Sequence, residues 1–549
     1  MKRWKGLSRG LFVAPIVIPV AVGTVIAVLP AFGYFPALGG DRFSLAPWRA
    51  LFAAPGLATS LMTTLIAALL ASFFSLLLAF FCVYHADGYR RLPILRAAGA
   101  ILATPHAALA IGLAFVLAPS GWLFRLWSWC CGPLDVPPDW TIIQDRNGLA
   151  LALVLVIKET PFLILTGYAA LGRLGAPHYL QAAQALGYSR AIAWAKIVAP
   201  QLFRQWRYPL LAVIAYAFSV TDMAQIVGPN APPTFPLRIL QWMNDPDISL
   251  RFTAAAAAVL HLVLVGGFLL AGGVLLRLLG QAFRPWLSNG SRDFPRWLCL
   301  SANVLLGGVS MSLVLLAATS FAMLILWSLA GLWPFPDPWP MDMSLDHWRD
   351  QSGMILRIAA PAILLALAAS VLAAALAIAL LEIAAGAGAA LPLLYVPLVF
   401  PDIVFMLGIA FLLILFGIQG SWPAILWAHL LFVFPYFYLS LADSWRTLDP
   451  RYRRSARSLG AGRWRVLFRI TLPLLRGPLA QGLAIGFAVS LSLYLPTILA
   501  AAGRLETLAT AAIQLSSAGN RHVTALYALA QCAVIWLAFS LAHRAGGHV

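Results

Sequence analysis

The chain has 549 residues, 62% of them hydrophobic and 10% charged, with a mean hydropathy of +0.87 and a formal net charge of +18. Soluble domains carry about 25% charged residues, so a water-soluble fold is excluded and most of this surface must face lipid. The positive balance suggests nucleic acid as a partner, but the positions of the charges argue against it, as shown below.

A membrane-spanning helix takes about 20 mostly apolar residues. In chain order such runs lie near 11–32, 57–85, 97–119, 148–171, 208–229, 252–280, 298–331, 354–385, 390–417, 421–445, 478–502 and 520–543. The expected fold is therefore all-α and integral to the membrane, with about twelve spans. The first run follows "MKRWKGLSRG" and is too long for the apolar part of a cleavable signal, so it is read as a retained helix. The division near "EIAAGAGAA" (382–390) and the bend near "GIQGSWP" (417–423) rest on short breakers.

The excess of Lys and Arg in alternate loops orients such a chain. With the N-terminus in the cytoplasm, the inner loops hold Lys2, Arg3, Lys5, Arg90, Arg91, Arg96, Arg173, Arg190, Lys196, Arg204, Arg207, Arg284, Arg292, Arg296 and the cluster from Arg446 to Arg476. Asp135, Asp139, Asp145, Asp245, Asp247, Asp337, Asp342, Asp346 and Asp350 all fall outside. The positive charge thus marks the cytoplasmic face and needs no nucleic acid, and an even number of spans places both termini in the cytoplasm.

Cys82, Cys130, Cys131, Cys299 and Cys532 are odd in number and irregular in spacing, so neither a disulfide framework nor a metal site follows. Trp122, Trp127, Trp129, Trp140, Trp333 and Trp339 read as an interfacial aromatic belt. No GxxxxGK[ST] loop, HExxH or nucleophile elbow occurs. The chain is not expected to be an enzyme or to hold a cofactor, and energy must come from elsewhere.

The chain also repeats itself. "QAAQALGYSRAIAWAKIVAP" (181–200) aligns without a gap on "RSARSLGAGRWRVLFRITLP" (454–473), pairing Ala183 with Ala456, Gly187 with Gly460, Arg190 with Arg463 and Pro200 with Pro473. The same offset pairs Arg173 with Arg446, Pro177 with Pro450, Tyr179 with Tyr452 and Ser219 with Ser492. "PHAALAIGLAF" (105–115) echoes "PDIVFMLGIAF" (401–411). Two like-oriented six-helix halves follow, 1–285 and 286–549, each with a cytoplasmic loop after its fourth helix, about 172–207 and 446–477. In each loop a Pro favours the start of a short helix and a Gly its left-handed end. Small residues (Ala182–Ala183 and Ser455–Ala456) leave a patch open to close approach.

These paired loops resemble the cytoplasmic signature of permease subunits of type I ABC importers: Glu-Ala-Ala, three residues, Gly, nine residues, Ile-x-Leu-Pro. The first copy offers Gln181-Ala182-Ala183, Gly187, Ile197 and Ala199-Pro200, and the second Arg454-Ser455-Ala456, Gly460, Ile470 and Leu472-Pro473. Both depart from the signature at Glu. The resemblance covers almost the whole chain. The fusion of two halves with one loop in each looks like the iron(III) and thiamine importer permeases, and "KETPFLIL" (158–165), "TDMAQIVGPNAPPTF" (221–235) and "GRLETLATAAIQLSSAGNRH" (503–522) look most like a thiamine-permease-like branch. It implies the type I permease fold in a bacterial inner membrane, two copies of a separate ATPase that hold the ATP and Mg, and an outer solute-binding protein. It also implies contact with the ATPase at Gln181, Ala182, Ala183, Gly187, Arg190, Pro200, Arg454, Ser455, Ala456, Gly460, Arg463 and Pro473.

Ionisable groups inside a bilayer are expensive. Lys158 and Glu159 lie in the fourth apolar run, Asp222 in the fifth and Asp402 at one end of the ninth. Adjacent helical residues point about 100° apart, so Lys158 and Glu159 each need a partner on another helix. The family resemblance adds Ser219, Thr221, Asp222, Ser492 and Tyr494 to Glu159 as candidates for lining a solute pathway; the same groups also suit a buried structural network. The implied solute is thiamine-like, iron(III) or another small cation. An ion-gradient-driven transporter of twelve helices is the competing reading, and a lipid-modifying enzyme a third.

Overall fold

In a computed structural model the backbone is described for residues 2–87, 91–132, 134–383 and 396–546. It is all-α apart from one two-residue hairpin, Tyr34–Phe35 with Gly40–Asp41. The division predicted within 382–390 lies largely outside the described residues. Among the described residues, eight helices are long and apolar enough to cross a membrane, including Leu57–Ala86, His106–Cys131, Leu149–Leu174, Leu250–Ser288 and Trp422–Thr447.

Of the other predicted spans, 11–32 falls on the helix Lys2–Ala31, the described part of 390–417 is divided at Phe400–Pro401 into Val396–Val399 and Asp402–Leu415, and two more are broken. Residues 208–229 form Ala199–Ser219 and then the short helix Asp222–Val227. Residues 478–502 form Arg476–Ser492 and then Leu495–Ala501. The run at 97–119 is likewise cut, by Thr104–Pro105, into Arg91–Ala103 and His106–Leu117. The cause is Pro105: its ring disfavours helical geometry at Thr104, and its nitrogen offers no hydrogen.

Comparable contacts recur along the chain. Leu57–Ala86 packs along Leu149–Leu174, and Asp346–Ile383 along Trp422–Thr447. The helix Phe235–Met243 lies on Leu250–Ala282, and Leu508–Ser517 on Arg521–Gly546. The first helix of the chain, Lys2–Ala31, packs on Leu250–Ala282 and also along Asp402–Leu415; Arg296–Leu329 correspondingly packs on Arg521–Gly546 and along His106–Leu117. Glycines allow both crossings. A Cβ on Gly408 would collide with the backbone of Gly23, and one on Gly112 with the backbone of Ser320. Between membrane helices, where lipid is as apolar as the side chains, such close approach supplies the packing.

On the face away from the basic loops, Arg125 is buried and reaches across to the Pro334 and Asp337 carbonyls at 2.6 and 2.9 Å. Arg521 returns the contact to the Ser120 carbonyl and hydroxyl at 3.0 and 2.6 Å. Trp127, Trp129, Trp140 and Trp339 are exposed, as a belt requires, but Trp333 is buried beneath the Arg125 guanidinium, 4.9 Å from its ring centre. The belt reading therefore fails for Trp333, whose indole N–H also donates to the Asp337 carbonyl.

Candidate functional site

The two basic loops adopt one geometry. Ala176–Ala185 and Pro450–Ser458 are short helices with Pro in the first turn. Gly187 and Gly460 then turn the chain at φ 83° and 80°, a left-handed conformation that costs a residue with a Cβ. Each loop re-enters a helical path at Arg190 or Arg463 and passes through a wider π-helical turn, Trp194–Val198 or Leu467–Thr471. The second loop then bends by 80° between Arg463–Leu474 and Arg476–Ser492. Pro200 lies in the first turn of its helix, while Pro473 is exposed just before that bend.

On the two short helices the predicted residues divide alike. Ala183 and Ala456 are buried against the bundle, whereas Gln181, Ala182, Arg454 and Ser455 face outward. Leu186 and Leu459, one residue before each turning glycine, are 67% and 87% exposed. Each elbow thus presents small and polar residues with a bare leucine at its tip. Arg190 and Arg463 instead point back, to acidic residues of the bundle at 3.5 and 3.6 Å.

The second constellation lies at the helix breaks. Val220 and Leu493 are extended, with φ/ψ of −59°/129° and −67°/120°, so both broken spans unwind at the same place. Unwound backbone at membrane depth is tolerated where it is buried in protein or lines a cavity. Asp222 opens the short helix after the first break, where a carboxylate favours the positive end of the helix dipole. The same region holds Glu159 of Leu149–Leu174, Asp402 at the start of Asp402–Leu415, and Tyr436 of Trp422–Thr447. Tyr216 is within electrostatic reach of all four, and its hydroxyl lies 3.4 Å from Asp222 Oδ1. Among the described residues no hydrogen bond reaches the Glu159 carboxyl, and Tyr436 keeps 36% of its surface accessible between the buried Phe434 and Phe437. The Tyr494 hydroxyl, at the second break, donates to Gln225 Oε1 at 2.7 Å and links the two broken spans.

Lys158 does not turn toward a solute. Its ammonium donates to the carbonyls of Ile101 and Leu102 at 3.3 and 3.0 Å, and also to that of Thr104. These are the orphan acceptors at the end of Arg91–Ala103, exposed by the Pro105 break, and a cation at a helix C-terminus also complements its dipole. Ser219 sits 3.3 Å from His261 Nε2, fully buried. Thr221 is buried at the first break and Ser492 is half-buried at the second. Of the pathway residues predicted from sequence, Glu159, Asp222 and Tyr494 come together in the centre. Tyr216, Tyr436 and Gln225 were not anticipated. None of the three is charged or matched in kind by the repeat, so the sequence carried no mark for them.

Comparison with known proteins finds relatives among membrane transport components. Residues 386–545 match the family described as "Binding-protein-dependent transport system inner membrane component". Over 501 residues, 91% of this chain and 90% of the relative, the chain is 28% identical to the inner membrane ABC transporter permease protein YnjC of Escherichia coli K12. Shorter stretches are similar to the spermidine/putrescine transport system permease protein PotC of the same strain, 30% identical over 18% of this chain and 38% of PotC. The molybdenum transport system permease protein ModB of that strain is 37% identical over 14% of this chain and 34% of ModB.

Proposed function

We propose that this chain, a multi-pass inner-membrane permease of the type I ABC importer family, carries a small organic cation into the cytoplasm. It has two permease halves, 1–285 and 286–549, and both termini lie in the cytoplasm. Two copies of a separate ATPase, which hold the ATP and Mg, seat on the elbows at 172–207 and 446–477. An outer binding protein delivers the solute to the face that carries Arg125 and Arg521. ATPase closure drives the elbows, and the solute passes between the two helix breaks.

The observation that carries this reading is the placing of Glu159, Asp222 and Asp402 within electrostatic reach of Tyr216, whose hydroxyl lies 3.4 Å from Asp222 beside the first break. A cation over the face of a tyrosine gains about 0.5–2 kcal/mol, more as water is excluded. The ammonium of Lys158 is directed at carbonyls, and its single charge stands against three carboxyls. Among the described residues no three His, Cys, Asp or Glu stand close enough to hold one metal ion, which favours an extended organic cation over iron(III). The similarity to PotC, a spermidine/putrescine permease by name, points the same way.

The test is uptake of radiolabelled thiamine, putrescine, spermidine and iron(III) by cells carrying the complete transporter. Saturable uptake of an organic cation that depends on Asp222 supports the reading; uptake of iron(III) alone sinks the solute assignment. Uptake that survives loss of ATP and follows an ion gradient would instead favour the secondary-transporter reading.

A further inference from the structure

The arginines that align between the two elbows form matching ion pairs. Arg190 Nη2 lies 3.5 Å from Asp87 Oδ2 and donates to the Asp87 carbonyl at 2.9 Å. Arg463 Nε lies 3.6 Å from Glu382 Oε1, and Arg453 Nη1 lies 3.4 Å from Glu382 Oε2. Asp87 caps Leu57–Ala86, and Glu382 is in the last turn of Asp346–Ile383. Both acids therefore end the second long helix of their half, on the basic face. Both carboxylate side chains are largely sheltered, with 13% and 11% of their surface exposed. Burial pushes the Asp87 carboxyl above its ordinary range, and the Arg190 charge opposes that shift.

The elbows differ in what else holds them. Lys196, in the first, donates to the Asn289 carbonyl and side chain, both at 2.7 Å, and the Ser189 amide donates to the Arg292 carbonyl at 2.9 Å. Asn289 and Arg292 belong to the segment joining the halves, which clasps the first elbow. In the second elbow, Trp464 and Phe468 stand at the places of Ala191 and Ala195 and are exposed. Arg453 and Arg463 of this elbow both pair with Glu382, while Arg446 at its start lies 3.9 Å from Asp443 of its own helix.

We propose that Asp87 and Glu382 are positioning residues that tether each elbow to the second helix of its half, so that motion imposed on the elbow turns that helix rather than being lost in the loop. This deepens the transport reading and rests on it. A charged pair suits the task because it holds direction without apolar packing, and loss of either partner leaves a sheltered charge unpaired.

The experiment uses the complete transporter, this chain with its co-purified ATPase, in liposomes. Solute uptake and ATP hydrolysis are measured together for the unaltered chain, D87N, E382Q and the exchange D87R/R190D. The expected result is retained ATPase association and hydrolysis with a fall of about 5-fold or more in solute moved per ATP, the low end of coupling between sites. The fall is larger for E382Q, because the joining segment still holds the first elbow in D87N. The exchange D87R/R190D restores coupling relative to D87N. Unchanged uptake per ATP in both single variants overturns the tether, as does loss of hydrolysis and uptake in equal proportion without rescue by the exchange. A transporter whose unaltered chain brings down no ATPase overturns the transport reading itself, and the tether with it.

Discussion

Tyr494 Oη and Gln225 Oε1 lie 2.7 Å apart, and this hydrogen bond joins the two broken spans at the central acid cluster. Tyr494 is itself within electrostatic reach of Asp222, so the link sits beside the proposed cation path. A side-chain hydrogen bond of this kind contributes about 1 kcal/mol net, roughly fivefold in an equilibrium. Tyr494→Phe removes it with almost no change in shape. The expected outcome is a roughly fivefold rise in ATP hydrolysis without binding protein, measured in liposomes, as the spans separate more easily. An unchanged basal rate would show that the link does not restrain the spans.

Asp222→Asn, Asp402→Asn and Glu159→Gln each keep shape and remove one negative charge from the cluster. Uptake of the organic cation is expected to fall about tenfold or more for Asp222→Asn, equal to about 1.4 kcal/mol. ATPase association should be unaffected in all three, checked by pull-down. Uptake that is indifferent to all three changes would assign the cluster to structure alone.

Lys158→Met preserves length and removes the donor to three carbonyls at the Pro105 break. Buried acceptors without a partner cost about 1–3 kcal/mol. The variant is expected to unfold several degrees earlier in detergent, measured by thermal scanning, while the solute affinity of the surviving fraction changes less than in Asp222→Asn. A variant of unaltered stability would contradict the capping role.

The positions of the apolar runs, the matched elbows and the turning glycines were all legible in the sequence, because lipid thickness and left-handed backbone each leave a direct mark on composition. The helix breaks were harder to see. An apolar run long enough to span says nothing about where it unwinds, and Val220 and Leu493 are ordinary residues for a helix interior. The partner of Lys158 was hidden because it is not a side chain at all but the carbonyls freed by a proline elsewhere. The tethers from Arg190 and Arg463 were missed because Asp87 and Glu382 lie far away in sequence, and their offset differs from that of the elbows.

Gly187→Val and Gly460→Val each force a β-branched residue into positive φ, a strain of about 1–3 kcal/mol. Each change should displace the neighbouring exposed leucine and reduce ATPase recovered in pull-downs by about tenfold, while the membrane bundle stays folded. Undiminished recovery from both variants would remove the elbows as the docking sites.

Gly408→Leu drives a branched side chain into the backbone at Gly23. Overpacking of this kind costs about 1–3 kcal/mol or more where backbone must shift. The expected readout is loss of a cysteine cross-link between the first helix and Asp402–Leu415, with Leu57–Ala86 still packed on Leu149–Leu174. A persistent cross-link at full yield would show that the crossing tolerates bulk.

That exchange of first helices also constrains how the molecule is made. Synthesis delivers the Gly23 helix long before the residues around Gly408 exist, so its small-residue face must wait in lipid until the later part of the chain is inserted. The Ser320 face, by contrast, meets Gly112 already in place. Assembly therefore begins with one arm unmatched and finishes only when the late helices return to it. Cutting the chain between the halves would leave each fragment with a crossing face that only the other can fill.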